Sequence, residues 1–380
     1  MKLAGDWLDH PGTQALMQAL EAAGHQALFV GGCVRNALLG EPVSDVDIAT
    51  DATPEALSTL AETAGFKPVP TGIDHGTVTV VAGGKPHEVT TFRRDVETDG
   101  RRAVVAFSTR IEEDAHRRDF TMNALYADRH GAVIDPLHGL PDLQARRVRF
   151  VGDPETRIRE DYLRILRFFR FHACYGDPEG GIDAEGLAAC SALADGLDLI
   201  SKERVTAELR KLLSARDPAP AVAAMAQAGV LARVLPGADP RALAPLVHLD
   251  AEEHPRWLRR LAVLGGDTDI LRLSKAEARD LTALRTAIAS ADTPAVLGWR
   301  LGETLGLDAI LARAASLGAP PPPGWQDEVR RGASARFPVI AADLMPGLQG
   351  EALGARMKEL QGRWLSSGLM LSREDLLKEA

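Results

Sequence analysis

Apolar residues in 13–23 (TQALMQALEAA) recur at helical spacing until Gly24, which predicts a first helix. The continuous apolar run Ala27 to Val30 predicts a buried strand. Gly31-Gly32 breaks it, and residues 33–39 read as the first turns of a helix. A second strand is expected at 45–49. Residues 54–64 (PEALSTLAETA) open with proline at a helix start and end before Gly65. Residues 77–81 and 86–92 read as strands joined through Gly83-Gly84. The chain up to residue 135 therefore alternates strand and helix, an α/β head. After Pro136 the strand signals fade. Residues 154–173, 184–195, 203–214 and 218–232 have helical spacing, and PPPPG at 320–324 is a stiff break in an Ala/Leu/Arg-rich remainder. No internal repeat is visible.

Composition narrows the function classes. The 380 residues are enough for two to three domains at roughly 150 each, and 45% hydrophobic content supplies real cores. Aromatic residues are only 5%, which argues against a broad stacking platform for single-stranded nucleic acid. A net charge of −9 excludes a globally basic nucleic-acid binder but leaves room for a local patch. Such a patch is visible: between Asp142 and His172 there are eight arginines against five acids. It either attracts phosphates or ladders ion pairs along a helix surface. Cys33, Cys174 and Cys190 are too few and too scattered for a disulfide framework or a Cys-rich zinc site, so reduced thiols are expected. The ten histidines fall into no metal-ligand spacing. No run approaches the roughly 20 apolar residues of a membrane span. Asp6, Asp9 and Glu21 stand where an export signal would be apolar, so a cytoplasmic location is expected.

The candidate chemistry begins at Val30-Gly31-Gly32-Cys33-Val34-Arg35. A strand running through two glycines into a helix lets backbone N–H groups approach a phosphate, and Arg35 could clamp the same anion. A plain tight turn would look the same. Asp45-Val46-Asp47 follows; on a strand these two carboxylates share a face, which is unfavourable without a cation between them. Magnesium suits such an oxygen-rich site, whereas a solvated turn needs no metal. Glu88, on a strand that could neighbour 45–49, is the candidate third carboxylate, or else an edge-strand glutamate. Arg117-Arg118-Asp119 offers forked donors for phosphate or ribose, with Asp119 able to orient one arginine and Asn123 a helical turn on. A salt-bridged helix start is the alternative.

The stretch 160–171 (EDYLRILRFFRF) is the most informative. On a continuous helix Tyr162, Ile165, Leu166 and Phe169 form a core stripe, while Arg164, Arg167 and Arg170 occupy the opposite side at about 180° to 300° from Asp161. Leu163, Phe168 and Phe171 lie among the charges, which predicts a partly desolvated cleft. A surface ion-pair ladder is the other reading. One arginine donor beside one carboxylate acceptor matches the hydrogen-bonding edges of cytosine and adenine. It opposes those of guanine and uracil, whose buried groups would go unpaired. Asp161 and Arg164 could thus select C and A.

Taken together, GGCVRNALLG, DVD, EVTTFRRDVETDGRR, RRDFTMNALY, DPLHGLPDL, EDYLRILRFFRF and SKERVTAEL resemble, in order, the class II tRNA nucleotidyltransferases, the CCA-adding enzymes, whose superfamily includes bacterial poly(A) polymerases. The resemblance runs from about Ala27 to Leu213. It implies a nucleotidyltransferase palm (a mixed sheet with flanking helices) over 1–140. An all-α neck with a base-selecting helix would follow over 141–215, and a helical body and tail that bind tRNA over 216–380. It implies triphosphate contacts from Gly32 and Arg35, beside nucleotide-binding Gly31, and magnesium on Asp45 and Asp47; Glu88 stays the catalytic candidate of the strand reading. Ribose and phosphate would fall to Arg118 and Asp119, base selection to Asp161 and Arg164, and further nucleotide contacts to Arg167 and Arg170. Residues 93–110 match a flexible loop needed for the final A, and 204–208 a helix-stabilising motif. Asn36 stands where the family usually has Asp. The implied substrates are CTP, ATP and tRNA, with no membrane and no stable protein partner. A poly(A) polymerase, an enzyme adding only the terminal A, and a silent RNA-binding protein are the alternatives.

Overall fold

The computed structural model describes residues 1–98, 103–250 and 256–378. The chain divides into two compact units, residues 1–205 with 227–233, and residues 206–226 with 234–380. The Asp99-Gly100-Arg101-Arg102 part of the loop motif and His254 lie outside the described residues.

The first unit opens with α1 (Pro11–Ala22), where His10 Nδ1 accepts from the Thr13 amide and Pro11 occupies the first turn. Then come β1 (Ala27–Val30), α2 (Gly32–Leu39), β2 (Asp47–Thr50), α3 (Pro54–Thr63), β3 (Lys67–Gly72), β4 (Thr77–Ala82) and β5 (Lys85–Thr91). A hairpin β6 (Arg93–Thr98) and β7 (Ala103–Phe107) stands apart as a two-stranded sheet. The head closes with α4 (Ile111–His116), β8 (Tyr126–Ala127), β9 (Val133–Ile134) and α5 (Leu140–Gln144).

The main sheet has the order β3-β4-β5-β2-β1-β8-β9. Only β2 and β5 run parallel; every other neighbouring pair is antiparallel. This is the mixed sheet of the resemblance rather than a regular α/β alternation. Strands β3 and β6 to β9 carry little apolar alternation, and their pairing is set by neighbours, not by their own pattern. The sheet's central strands are wholly or alternately buried: β1 along its whole length, β4 through Val78, Val80 and Ala82. One core cluster joins Leu28, Val30, Ala49, Phe92, Ala115, Ala124, Tyr126 and Val151.

Three of the expected elements need correction. The strand expected at 45–49 begins at Asp47, leaving Asp45 in the loop before it. The helix expected at 154–173 is two, α6 (Pro154–Glu160) and α7 (Leu163–Tyr175). Asp161 between them is extended (φ −157°, ψ 103°). Its carboxylate accepts from the Leu163 amide at 3.1 Å. That local bond competes with helix continuation, as short acidic side chains do. The helix expected at 218–232 also divides at Gly229 (φ 74°), into two helices over 219–227 and 230–234.

Phe120, Phe150, Phe168, Phe169 and Phe171 form a ring cluster under α7, with neighbouring centroids 4.9 to 6.4 Å apart. Phe168 and Phe171 are therefore core, not cleft lining. Next are α8 (Ala184–Ala192), α9 (Lys202–Leu213), α10 (Ala219–Gln227) and α11 (Val230–Val234), which the chain shares between its two units.

The second unit contains no strand among its described residues. It holds α12 (Leu243–Leu249), α13 (Trp257–Leu264), α14 (Lys275–Ala289), α15 (Pro294–Leu317), α16 (Trp325–Ser334), α17 (Gly350–Ser366) and α18 (Arg373–Leu377). α15 is broken at Gly302 (φ 78°, ψ 177°), the proline break 320–323 joins its second half to α16, and α16 packs against both halves. Glycines allow the close approach: a Cβ on Gly332 would lie 1.8 Å from the Ala295 carbonyl oxygen. Among the described residues no helix is long and apolar enough to cross a membrane.

Candidate active site

The carboxylate edge is built by strand pairing. β2 and β5 are parallel with Asp47 opposite Glu88, so both side chains leave the same face at the same level. Asp45 precedes the strand, exposed, and accepts from the Ser44 hydroxyl at 3.0 Å. Burial pushes the Asp47 carboxyl above its ordinary range; the charge of Glu88 adds to this, as does that of Asp45, while Arg118 opposes it. The edge thus carries negative charge in excess of its local cations, which fits a divalent ion with oxygen ligands. Among the described residues no three such groups close into a finished metal cage.

Next to it, β1 ends in Gly31, which takes φ 69° and ψ −116°. A Cβ there would have to tolerate that conformation while lying 3.5 Å from Arg118 Nη1. The turn at Gly31 thus lies beside Arg118, and α2 starts at Gly32. One turn on, Arg35 is 7% exposed. Its Nε and Nη2 donate to Asn36 Oδ1 (3.1 and 2.8 Å), Nη1 donates to Asn123 Oδ1 (2.6 Å), and Nη2 also donates to the Tyr175 hydroxyl (2.8 Å). The guanidinium lies 4.1 Å from the Tyr175 ring centre. Asn36 therefore does hold Arg35, and its own Nδ2 donates to the Pro42 carbonyl (2.9 Å). Tyr175 was not singled out from sequence; an aromatic at the end of a helical stripe carries no signal of its own.

Arg117 and Arg118 follow α4, and the acid that holds them is Asp114, not Asp119. Asp114, 1% exposed, accepts from Arg117 Nε (2.8 Å), Arg118 Nη2 (2.8 Å) and the Tyr126 hydroxyl (2.6 Å). Burial alone would raise its pKa, but Arg118 and Arg117 together with Tyr126 hold it well below the carboxylate range. Sequence reasoning passed over it, although an acid three and four residues before two arginines is the spacing of helix-face ion pairs. Asp119 instead receives Arg167 Nε at 2.8 Å, Asn123 Nδ2 at 2.9 Å and the Phe120 amide at 2.9 Å. The expected Asp119–Asn123 neighbourhood is present, but on a 3₁₀ turn at 121–123 rather than a continuing helix.

The side chains of Asp161 and Arg164 do not bond to each other; the Arg164 amide donates to the Asp161 carbonyl (2.9 Å). Asp161 receives Arg204 Nη2 at 2.7 Å. Arg164 pairs with Glu160 and donates to the carbonyls of Arg157 (2.7 Å) and Arg117 (3.1 Å). Both nevertheless line one cavity of about 270 Å³, with Arg118, Asp119, Arg167 and Arg204. Arg170 is not on its lining; its guanidinium sits 4.4 Å from the Phe171 ring centre.

A strand–Gly-Gly–helix turn beside paired strand carboxylates, on a mixed sheet rimmed by arginines, defines a nucleotidyltransferase palm. The family model described as "Poly A polymerase head domain" matches residues 27–149, and that described as "Probable RNA and SrmB- binding site of polymerase A" matches 181–241. The chain is 36% identical over 323 residues to the CCA-adding enzyme of Geobacillus thermodenitrificans, covering 84% of this chain and 74% of that one. It superposes on the Bacillus stearothermophilus CCA-adding enzyme in complex with CTP with a TM-score of 0.72 at 33% identity, covering 94% and 92% of the two chains. Against the mouse mitochondrial CCA tRNA nucleotidyltransferase 1 it is 42% identical over 204 residues, and there the chain spans 47% of the relative, about half its length. The chain belongs to the CCA-adding enzyme family.

Proposed function

We propose that this protein adds C, C and A to the 3′ end of tRNA from CTP and ATP, without a nucleic-acid template, releasing pyrophosphate. The 3′-hydroxyl oxygen bonds to the α-phosphorus as the bond to the bridging oxygen breaks; pyrophosphate leaves, and the hydroxyl proton passes to Glu88. Asp45 and Asp47 would hold magnesium, which supplies Lewis-acid stabilisation of the charge developing on the phosphates. Gly31, Gly32, Arg35 and Arg118 grip the triphosphate. Asp119 holds Arg167 in place against the nucleotide, with Arg170 near by. Asp161 accepts from, and Arg164 donates to, the edge of an incoming C or A, and Arg204 keeps Asp161 aimed. The reaction is assigned to the cytoplasm, which fractionation checks.

The observation that carries this reading is the cavity that gathers the carboxylates of Asp161 and Asp119 among the fixed donors Arg118, Arg164 and Arg167 in a single space. The test is incubation with tRNA ending at the discriminator base, each labelled nucleotide in turn, with and without EDTA, and sequencing of the product. The expected product is CCA and a stop. Asp45→Ala or Asp47→Ala should abolish incorporation while tRNA still binds. The head-domain description keeps a poly(A) polymerase in view; that reading requires long A tails on many RNAs, so product length decides. A product extended by A alone on tRNA already ending in CC would indicate the terminal-A enzyme.

A further inference from the structure

Arg35 meets its substrate with most of its donors already committed. Nε–H and one Nη2 hydrogen go to Asn36 Oδ1, the other Nη2 hydrogen to the Tyr175 hydroxyl, and one Nη1 hydrogen to Asn123 Oδ1. Among the described residues, a single Nη1 N–H of the guanidinium fork then remains for a phosphate, together with the positive charge.

The partners of Arg35 close a circuit. Asn123 Nδ2 donates to Asp119 Oδ1 (2.9 Å), and Asp119 Oδ2 accepts from Arg167 Nε (2.8 Å). Arg167 and Tyr175 both stand on α7. Hydrogen bonds thus run from Arg167 through Asp119, Asn123 and Arg35 to Tyr175, and the helix joins the two ends. Arg167, Phe171 and Tyr175 recur at every fourth residue, so they share one stripe of α7. The ends of that stripe are about 12 Å apart along the helix axis. Phe171, 3% exposed, fills the middle of the ring: the guanidinium carbons of Arg35 and Arg167 lie 5.2 and 5.3 Å from its centre.

Each member suits its place. Buried Asn123 donates on one side and accepts on the other, so it links an anion to a cation without letting them meet. A carboxylate there would repel Asp119, and direct pairing of Asp119 with Arg35 would cancel the charge that phosphates need. Tyr175 meets Arg35 twice, with its hydroxyl at 2.8 Å and with its ring centre 4.1 Å from the guanidinium. At the far end, Arg167 lines the cavity that holds Asp161 and Arg164.

We infer, on the transferase reading above, that Asn123 and Tyr175 are positioning residues for nucleotidyl transfer. They set the Arg35 guanidinium to one orientation toward the triphosphate and hold it in the same frame as Arg167 in the base cavity. Both act through Arg35.

The test uses the full chain, tRNA ending at the discriminator base, and steady-state incorporation of CMP. Tyr175→Phe keeps the ring and removes only the acceptor. It should lower kcat about tenfold, the worth of one hydrogen bond to a charged group. The CTP KM should stay within about twofold, because the charge that binds the ground-state triphosphate is intact. An unchanged kcat, or a raised KM with kcat intact, overturns the inference. Asn123→Ser withdraws the amide from Arg35 and should lower kcat likewise. Members of one ring act as a unit, so the double variant should lose no more than about threefold beyond either single one; independent residues would multiply to about a hundredfold. Multiplying effects overturn the ring. Should Asn123→Ser not fold, the isosteric Asn123→Asp, which opens the ring at Asp119, enters the same cycle. A parent protein that incorporates no CMP refutes the transferase reading itself; an active parent with an unchanged Tyr175→Phe refutes the ring alone.

Discussion

Asp114→Asn puts the least conspicuous acid of the site to the test. One carboxylate, 1% exposed, takes donors from two guanidiniums and a phenol. An asparagine of the same shape keeps one acceptor and turns an NH2 group toward N–H donors. Removing one partner of a buried charge pair costs about 3–5 kcal/mol. The side chains of Arg117 and Arg118 retain 15% and 17% exposure and can turn partly to water, so the lower end, about 3 kcal/mol, is expected. The assay is hydrogen exchange of β1 and β8, whose pairing surrounds Tyr126 and reads the opening of the first unit. About 3 kcal/mol corresponds to roughly 150-fold faster exchange at pH 7. The pH dependence gives a second reading. The Asp114 pKa is depressed in the folded protein, so its contribution is fully present above the unfolded value of about 3.9. It diminishes progressively as pH falls from there toward the depressed folded value, so the stability gap between the two proteins should narrow steadily. Exchange accelerated less than about threefold, or a gap between the proteins that does not narrow at low pH, would refute the reasoning.

Other expectations follow from the same geometry. Asp161→Ala, and Arg204→Ala through loss of the 2.7 Å bond that aims Asp161, should both let UMP and GMP into the product, read by sequencing; unchanged selectivity in both sinks the base-reading assignment. Gly332→Ala should destabilise the second unit by about 2 kcal/mol, because the Ala295 carbonyl at 1.8 Å cannot give way and overpacking outweighs the helix propensity gained. Gly354→Ala, with open space around its added methyl, should instead stabilise by up to about 1 kcal/mol in the same denaturant titration. Burial pushes the Cys33 thiol up to about 11 and raises that of Cys190 as well, so alkylation of native protein at pH 8 should label Cys174 alone, counted by mass.

The readability of the site from sequence followed the reach of each signal. β1, the Gly-Gly turn and α2 are contiguous, and their apolar run and glycines mark them directly. Glu88 was placed correctly opposite the Asp-x-Asp segment because a strand pattern at 86–92 needed a partner, and a parallel one was available at β2. What failed was periodicity carried through a residue with competing local chemistry. A helical wheel over 160–171 assumes one helix, and Asp161 ends it by bonding to its own neighbour's amide. The partnerships of Asp114 and Tyr175 with arginines are contacts that form only after folding; Tyr175 meets Arg35 across 140 positions of sequence. No local pattern encodes that distance.

Those partnerships also bear on how the proposed reaction on polyanions fits a chain of net charge −9. Total charge sets little; what counts is which guanidiniums remain uncompensated. Arg117 and Arg118 share Asp114, Arg164 has Glu160 and Arg167 has Asp119. The first two groups each carry one guanidinium in excess of their acid, since Arg157 also pairs with Glu160, and only Arg167–Asp119 is one-to-one; in each the acid fixes donors in direction. Arg35 differs: its hydrogen-bond partners are Asn36, Asn123 and Tyr175, all uncharged. Its position is determined while its charge stays available, in a buried setting where screening is weak. An aspartate at position 36 could receive the same two N–H groups, but it would cancel that charge and lose the amide donor to the Pro42 carbonyl. The asparagine thus separates two tasks that an acid would merge, holding the clamp and leaving its charge for the phosphates.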